Sequence, residues 1–213
     1  MSVVVAGVGL LPFRTPRHSE TYDAMGEHAI RAALTDAGLE IGDIQQAYAG
    51  YVYADSAAGQ TALYGVGATG IPVINANNYC ASGSTALWLG RQAILAGTAE
   101  CVLVVGFEQM ARGAIGSVFD DRPESLWRFT EARAAHRPAS DAPPAAQFFG
   151  DAGQAYLDRY DADVSLFAEV AHLVAVSLPD EALLNHRSAH RTHSADAALE
   201  LATAFARGPQ AAQ

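Results

Sequence analysis

The first 110 residues alternate short β-branched runs with stretches of helical periodicity, and this alternation constrains the fold more than any other feature. A buried strand is predicted over Val3–Val8, followed by a helix with Thr21 as its N-cap and Gly38 as its stop. Next the pattern predicts a strand at Ile44–Tyr53, a helix at Ser56–Ala68, a strand at Ile71–Ala76, a helix at Cys80–Ala96 closed by Gly97, and a strand at Cys101–Phe107. Strands separated by helices imply crossover connections, so we expect an α/β fold of βαβαβαβ order, with a largely parallel layered sheet.

The strand and helix rhythm breaks after Glu108, and the composition shifts again near residue 178. We therefore divide the chain into a βα core at 1–109, an excursion at 110–177 that lies over a face of the sheet, and a divergent tail at 178–213 rich in Ala and His. Helices are predicted within the excursion at Gln154–Tyr160 and Val164–Val176. No fifth strand is apparent after the excursion.

The charge balance excludes several classes of function. The formal net charge is −10, from 23 acidic residues against 13 basic ones, and every basic residue is Arg. An acidic chain does not attract a phosphate backbone, so we predict no nucleic-acid partner. Without Lys the chain has neither a Schiff-base amine nor a P-loop lysine.

Compartment and membrane attachment are predicted from the apolar segments and the cysteines. The N-terminal apolar stretch Val3–Phe13 is shorter than a membrane span, is interrupted by Gly and Pro, and has no basic residues before it. We therefore predict no membrane span and no signal peptide. Two cysteines do not make a disulfide framework, so the expected location is the reducing cytoplasm.

Three motifs have weak functional interpretations. The segment Gly7–Pro12 begins like a dinucleotide fingerprint, but Pro12 replaces the third glycine, so a tight turn is favoured. His186, His190 and His193 have the spacing of one helical face, yet Arg residues lie between them, so we favour a solvated tail and predict no metal. Cys101 lies in an apolar strand and is interpreted as core packing.

Cys80 carries the strongest functional signal. It follows a predicted strand and a polar turn, and is expected in the first turn of the next helix, which Asn77 or Asn78 could cap. A thiol there faces free backbone N–H groups and the positive end of the helix dipole, which favours the thiolate. The same N–H groups could stabilise an oxyanion on an acyl carbonyl, and the small residues 81–84 allow close approach. We predict nucleophilic catalysis, with packing at a strand–helix junction as the alternative.

The residues around Cys80 also resemble those of a known family. With three other segments, they resemble the N-terminal half of thiolases, in the subgroup of sterol-carrier and non-specific lipid-transfer thiolases. The similarity extends over residues 3–176, and its strongest segments are Gly7–Arg14, Ala33–Ile44, Asn77–Leu87 and Ala99–Met110, with weaker likeness in Gln147–Gly150 and Tyr156–Tyr160. It implies the thiolase fold, with 110–177 as its loop domain.

The resemblance implies an acyltransferase activity. Cys80 matches the nucleophile that attacks a 3-oxoacyl-CoA and holds the acyl group as a thioester, which coenzyme A then accepts in ping-pong order. Coenzyme A is thus a co-substrate, and no bound cofactor is expected. The loop domain would cover it, and five arginines there suit a phosphate-bearing ligand: Arg112, Arg122, Arg128, Arg133 and Arg137.

The resemblance also implies that catalysis needs residues which this sequence does not contain. In the family a second half supplies an activating histidine, an oxyanion-hole histidine and a second reactive cysteine, and this sequence has no Gly-His-Pro and no third cysteine. We therefore expect a homo- or hetero-oligomer, completed by a second thiolase half or a small partner protein. Two alternatives stay open: a non-catalytic half that acts as an interaction module, and a subunit of a thiolase-like aldolase that cleaves steroid side chains.

Overall fold

The computed structural model of this chain describes residues 2–110, 119–137, 142 and 144–170, together with the backbone of 201–207. The chain divides into two compact units. The first comprises Met1–Arg112 with Asp196–Gln213, and the second Gly113–Ala195.

The first unit is an α/β structure, as predicted. Its elements are β1 (Val3–Leu10), α1 (Tyr22–Ala37), β2 (Gln46–Gly50), α2 (Ala58–Tyr64), β3 (Val73–Ala76), α3 (Ser82–Leu95), β4 (Cys101–Gly106) and β5 (Leu201–Arg207). The sheet order is β1-β5-β4-β2-β3. Strand β2 pairs in parallel with both β3 and β4, which confirms the largely parallel sheet.

The fifth strand was not expected from the sequence. Strand β5 lies between β1 and β4 and pairs antiparallel with both of them. Every second residue from Ala202 to Ala206 is alanine, which has a low intrinsic preference for strands, so the segment looked like part of a divergent tail. Pairing on both sides overrides that weak local preference. The histidines 186, 190 and 193 lie outside the described residues.

Helices cover both faces of the sheet, which explains why its central strands are apolar on both sides. On β4, Leu103 and Val105 pack with α1 and α2, whereas Val102 and Val104 pack with α3. All four side chains are buried. The apolar run at β4, interpreted as core packing, is therefore confirmed as a buried strand. The β-branched run at Val3–Val8 was wrongly predicted to be buried, because Val4, Val5 and Val8 are 39%, 54% and 52% exposed.

Two glycines bring β1 against α1. A Cβ atom on Gly7 would lie 2.6 Å from the carbonyl oxygen of Ala33, and one on Gly9 would lie 2.6 Å from the backbone nitrogen of Ala33. Both glycines belong to β1, so the predicted tight turn after Val8 was wrong. Close strand–helix packing accounts for these glycines without a nucleotide.

The ends of α1 follow the prediction. Thr21 is the N-cap, and Gly38 ends the helix with φ of 65°, in the left-handed region that glycine adopts without strain. The Thr21 side chain makes no capping hydrogen bond to the helix. Instead the Gln109 side chain accepts the Tyr22 N–H at 2.9 Å, so the loop after β4 holds the start of α1.

The second unit is helical where it is described. Helix α4 spans Trp127–Ala134, α5 spans Pro144–Tyr160, and residues 165–170 are helical. Helix α5 begins ten residues before the predicted start at Gln154, and α4 was not predicted. The polar composition of α4, with no buried residue, gave no helical period in the sequence.

Membrane spans and metal clusters were sought in the described part of the chain. No helix there is long and apolar enough to cross a membrane. Nor does that part contain a group of three His, Cys, Asp or Glu side chains that could hold a metal ion.

Apolar side chains are exposed on the sheet face opposite α1. Val8 and Leu10 alternate with the glycines that face α1, and they are 52% and 44% exposed. Neighbouring apolar side chains left in water favour association. We expect dimers or larger species in multi-angle light scattering, with Val8→Asp shifting the distribution towards the monomer. A monodisperse 22.3 kDa species would contradict this expectation.

Candidate active site

Three parallel strands end side by side, and the chain leaves all of them at one edge of the sheet. Gly50, the last residue of β2, is in register with Ala76 at the end of β3 and with Gly106 at the end of β4. Parallel α/β sheets bind their ligands at this carboxyl edge. The segments that follow the three strands therefore define the candidate site, and one of them contains Cys80.

Cys80 lies in a tight turn between β3 and α3. Tyr79 has φ of 49°, in the left-handed region, which turns the chain sharply before the cysteine. Cys80 is a free, exposed thiol. The N-cap is Ala81 and α3 begins at Ser82, so Cys80 precedes the helix instead of lying in its first turn as predicted.

The buried hydroxyl of Ser82 closes this turn. Its Oγ accepts the Asn78 N–H at 2.8 Å and donates to the Tyr79 carbonyl at 2.7 Å. Ser82 is 4% exposed, so both hydrogen bonds are partly buried. The sequence singled out Ser82 only as a small residue. Its place in Ser82-Gly83-Ser84, at a predicted helix start, gave no local signal of this role.

The two asparagines do not cap α3, contrary to the prediction. The Asn78 side-chain amide donates to Thr85 Oγ1 at 3.1 Å, and Asn77 Oδ1 accepts the Tyr79 N–H at 3.3 Å. Ser82 closes the turn from within the helix, and the two asparagine side chains form their hydrogen bonds on the outer side of the turn.

Strand β2 touches the first turn of α3 through a glycine. A Cβ atom on Gly50 would lie 2.6 Å from the carbonyl carbon and oxygen of Ser82 and 2.8 Å from the nitrogen of Gly83. Real Cβ contacts are longer than this, so only glycine fits here without displacing the helix. The position of Ser82, and through it the Cys80 turn, is set by this contact.

The polar residue Asn75 of β3 caps α2. Its Oδ1 accepts the Gly59 N–H at 2.9 Å, and its Nδ2 donates to Gln60 Oε1 at 2.8 Å. Helix α2 has no capping side chain of its own, because its N-cap Ala57 is apolar and has φ of 63°. Asn75 therefore fixes α2 relative to the strand that leads to Cys80.

The second thiol, Cys101, is of a different kind. It is half-buried at the start of β4 and packs against the α1 and α2 side of the core, as predicted. Burial raises the pKa of the Cys101 thiol, and the Asp43 carboxylate raises it further. Cys101 is thus the less reactive cysteine and a matched control for Cys80.

Glu108 is a buried carboxyl group that the sequence interpretation did not single out. It follows β4, and its two oxygens accept the Tyr53 N–H at 2.8 Å and the Val52 N–H at 2.9 Å. Burial raises the pKa of the Glu108 carboxyl, and the hydrogen bonds from Tyr53 and Val52 oppose that shift.

The raised pKa of Glu108 predicts a direction for stability against pH. Protonated Glu108 contributes stability that is fully present below the ordinary carboxyl value of 4.5 and is lost as pH rises through the raised value. The unfolding free energy of the wild type relative to Glu108→Gln should therefore fall above pH 4.5. Urea unfolding at several pH values measures this difference. A difference that grows with pH would contradict the prediction.

The arginines of the excursion belong to the second unit, apart from Arg112, which lies outside the described residues. Arg133 and Arg137 both reach Asp151, at 2.6 and 3.7 Å, and Arg122 pairs with Asp121 at 2.7 Å. Arg128 lies over the ring of its neighbour Trp127. Because two arginines share one aspartate, this cluster keeps a net positive charge. We therefore still expect this unit to bind an anion.

Comparison with known proteins shows what this arrangement is similar to. The profile of the family described as "Thiolase, N-terminal domain" matches residues 3–172. Sterol carrier protein 2 of Gallus gallus is 42% identical over 171 residues, which is 79% of this chain and 31% of that protein. Non-specific lipid-transfer protein-like 2 of Caenorhabditis elegans is 38% identical over 185 residues, 83% of this chain and 45% of that protein.

A solved structure shares the fold over nearly the whole chain. The structure titled "Ltp2-ChsH2(DUF35) aldolase" aligns with a TM-score of 0.62 at 20% identity, and covers 96% of this chain and 55% of that one. The chain spans less than half the length of both relatives in the sequence comparison, the sterol carrier protein and the lipid-transfer protein. With its exposed cysteine turn and helix-covered parallel sheet, this chain has the N-terminal domain of a thiolase and belongs to that family.

Proposed function

We propose that this protein is a thiolase-type acyltransferase that acts on 3-oxoacyl-CoA, with Cys80 as the nucleophile. The observation that carries the proposal is the exposed thiol on a closed turn directly before α3, at the carboxyl edge of a parallel sheet. In this turn the Ala81 and Ser82 N–H groups donate to the Asn78 and Tyr79 carbonyls, so an oxyanion would be stabilised by the remaining backbone N–H groups of the first turn of α3. The relatives named for sterol carriage and lipid transfer suggest an acyl chain from lipid metabolism.

The proposed reaction has two half-reactions. Cys80 Sγ attacks the 3-oxo carbon, the bond between C2 and C3 breaks, and the carbanion that leaves takes up a proton to give acetyl-CoA. The thiol of a second coenzyme A then attacks the Cys80 thioester, which releases the shortened acyl-CoA and returns the free thiol. A reducing compartment such as the cytoplasm keeps Cys80 in the form that this chemistry needs.

The residues described here support the first half-reaction most directly. They position the exposed Cys80 thiol directly before the first turn of α3. We propose that the base for rapid turnover comes from a second thiolase half, as a partner chain or a continuation of this one. The loop-domain unit would contact coenzyme A, with its arginines near the phosphates.

A single-turnover experiment tests this function. The protein is mixed with a 3-oxoacyl-CoA without added coenzyme A, and acetyl-CoA is quantified by chromatography. We expect a burst that approaches one acetyl-CoA per chain and stops, followed by discharge of the acyl group when coenzyme A is added. Cys101→Ser should keep the burst. A folded wild-type protein that gives no burst would contradict the proposal.

A second candidate is a subunit of a thiolase-like aldolase. The solved structure of similar fold is titled an aldolase with a DUF35 component, which suggests a partner protein for this chain as well. A retro-aldol cleavage needs no thioester on Cys80. Cleavage of a steroid side chain that survives Cys80→Ser would therefore favour this candidate over the acyltransferase.

A further inference from the structure

Glu108 lies at the carboxyl edge of the sheet without being part of the Cys80 turn. We propose that Glu108 is a positioning residue for Cys80: its carboxylate holds the segment that follows Gly50, the last residue of β2, and the first turn of α3 rests against Gly50. The inference rests on the proposed function only in taking Cys80 as the reacting group.

The first step is the contact between Glu108 and the segment after β2. The two carboxylate oxygens accept the backbone N–H groups of the consecutive residues Val52 and Tyr53, at 2.9 and 2.8 Å. Both N–H groups lie beyond Gly50, where β2 ends. One side chain, more than fifty residues away in sequence, therefore fixes the direction in which the chain leaves β2.

The second step is the fixed backbone of Glu108 itself. On one side, Phe107 is 2% exposed and its ring stacks between those of Tyr22 and Tyr51, at centroid distances of 5.4 and 5.1 Å. On the other side, Gln109 accepts the Tyr22 N–H. Because both neighbouring residues are held, the backbone of Glu108 is fixed. Its carboxylate can therefore hold the Val52 and Tyr53 N–H groups in a constant position.

The third step leads from the segment after β2 to Cys80. The Tyr51 N–H donates to the Ala76 carbonyl at 3.3 Å, and Gly50 lies against the backbone of Ser82. Ser82 Oγ in turn holds both ends of the turn before the cysteine. A shift of the Val52 and Tyr53 backbone therefore reaches the Cys80 turn through contacts with little free space.

Position and charge are separable effects of Glu108, because different variants remove each of them. Glu108→Gln keeps one acceptor at the original reach and removes the charge. Glu108→Asp keeps the charge but shortens the side chain by one methylene group, which moves the carboxylate away from the Val52 and Tyr53 N–H groups. Glu108→Ala removes both. If position is what matters, Gln substitutes better than Asp.

The test is the second-order rate constant for alkylation of Cys80 by iodoacetamide, read from the Cys80 peptide by mass spectrometry. We expect Glu108→Ala to slow alkylation about tenfold, Glu108→Asp to slow it less, and Glu108→Gln, which keeps one of the two hydrogen bonds, to slow it least. Asp36→Asn is the matched control. Its carboxylate also accepts a backbone N–H, from Val8 at 2.9 Å, but between β1 and α1, so the rate should not change.

Each other outcome decides against the proposal. Equal rates in the wild type and all three Glu108 variants would overturn it, as would a slower Gln variant beside an unchanged Asp variant, which would assign the effect to charge. If Glu108→Ala does not fold by circular dichroism, the order of the Gln and Asp variants still decides. Alkylation needs no acyl-CoA, so the proposed acyltransferase can fail while this result holds.

Discussion

Serine in place of Cys80 is expected to abolish the single-turnover burst of acetyl-CoA while leaving the fold intact. A hydroxyl without an adjacent base is a far weaker nucleophile than a thiolate, and loss of a catalytic nucleophile costs roughly 10⁴-fold or more in rate. Cys80 is exposed, so the substitution removes little packing. The unfolding free energy should change by no more than about 0.5 kcal/mol.

The control for this prediction is the other cysteine. Cys101→Ser should retain the burst, because that thiol is half-buried and its pKa is raised by burial. Chromatographic quantification of acetyl-CoA in the two variants measures the difference, with circular dichroism as the test of folding. A burst that persists in Cys80→Ser and disappears in Cys101→Ser would exchange the roles of the two residues.

Alanine at position 50 is expected to destabilise the fold by about 3 kcal/mol and to slow Cys80 alkylation. The new methyl group would overlap the backbone of Ser82 and Gly83, at 2.6 to 2.8 Å, and backbone atoms cannot rotate away as a side chain does. Overpacking of this kind costs about 1–3 kcal/mol. Helix α3 must move to relieve it, and the turn that Ser82 closes moves with it.

Gly83→Ala provides the matched control on the same helical turn. A Cβ atom there has open space around it, and alanine is about 0.5–1 kcal/mol more favourable than glycine inside a helix. Urea unfolding should therefore show Gly50→Ala less stable than the wild type, and Gly83→Ala as stable or more so. Equal stability of Gly50→Ala and the wild type would contradict the contact between β2 and α3.

Local patterns in the sequence predicted the core of the fold and pointed to Cys80 as the candidate nucleophile. The apolar run at β4 and the long helix before it, which Gly97 closes, can each be recognised from neighbouring residues alone. Cys80 stands out because a polar turn separates a strand from a helix at that point. Thr21 and Gly38 mark the ends of α1 by preferences that depend only on neighbouring residues.

The features that the sequence missed depend on contacts far apart in the chain. Strand β5 is alanine-rich and becomes a strand because β1 and β4 pair with it on either side. Glu108 meets residues 55 and 56 positions away, and Gly50 is required because a distant helix touches it. No local preference of Ser82 shows that its hydroxyl is buried and doubly hydrogen-bonded.

The most direct test of the account is the intact mass of the protein after incubation with a 3-oxoacyl-CoA, followed by peptide mapping. We predict a mass increase equal to one acyl group, located on the Cys80 peptide and absent in Cys80→Ser. A folded wild-type chain that gains no acyl group, or gains it equally in Cys80→Ser, would contradict the assignment of Cys80 as the nucleophile.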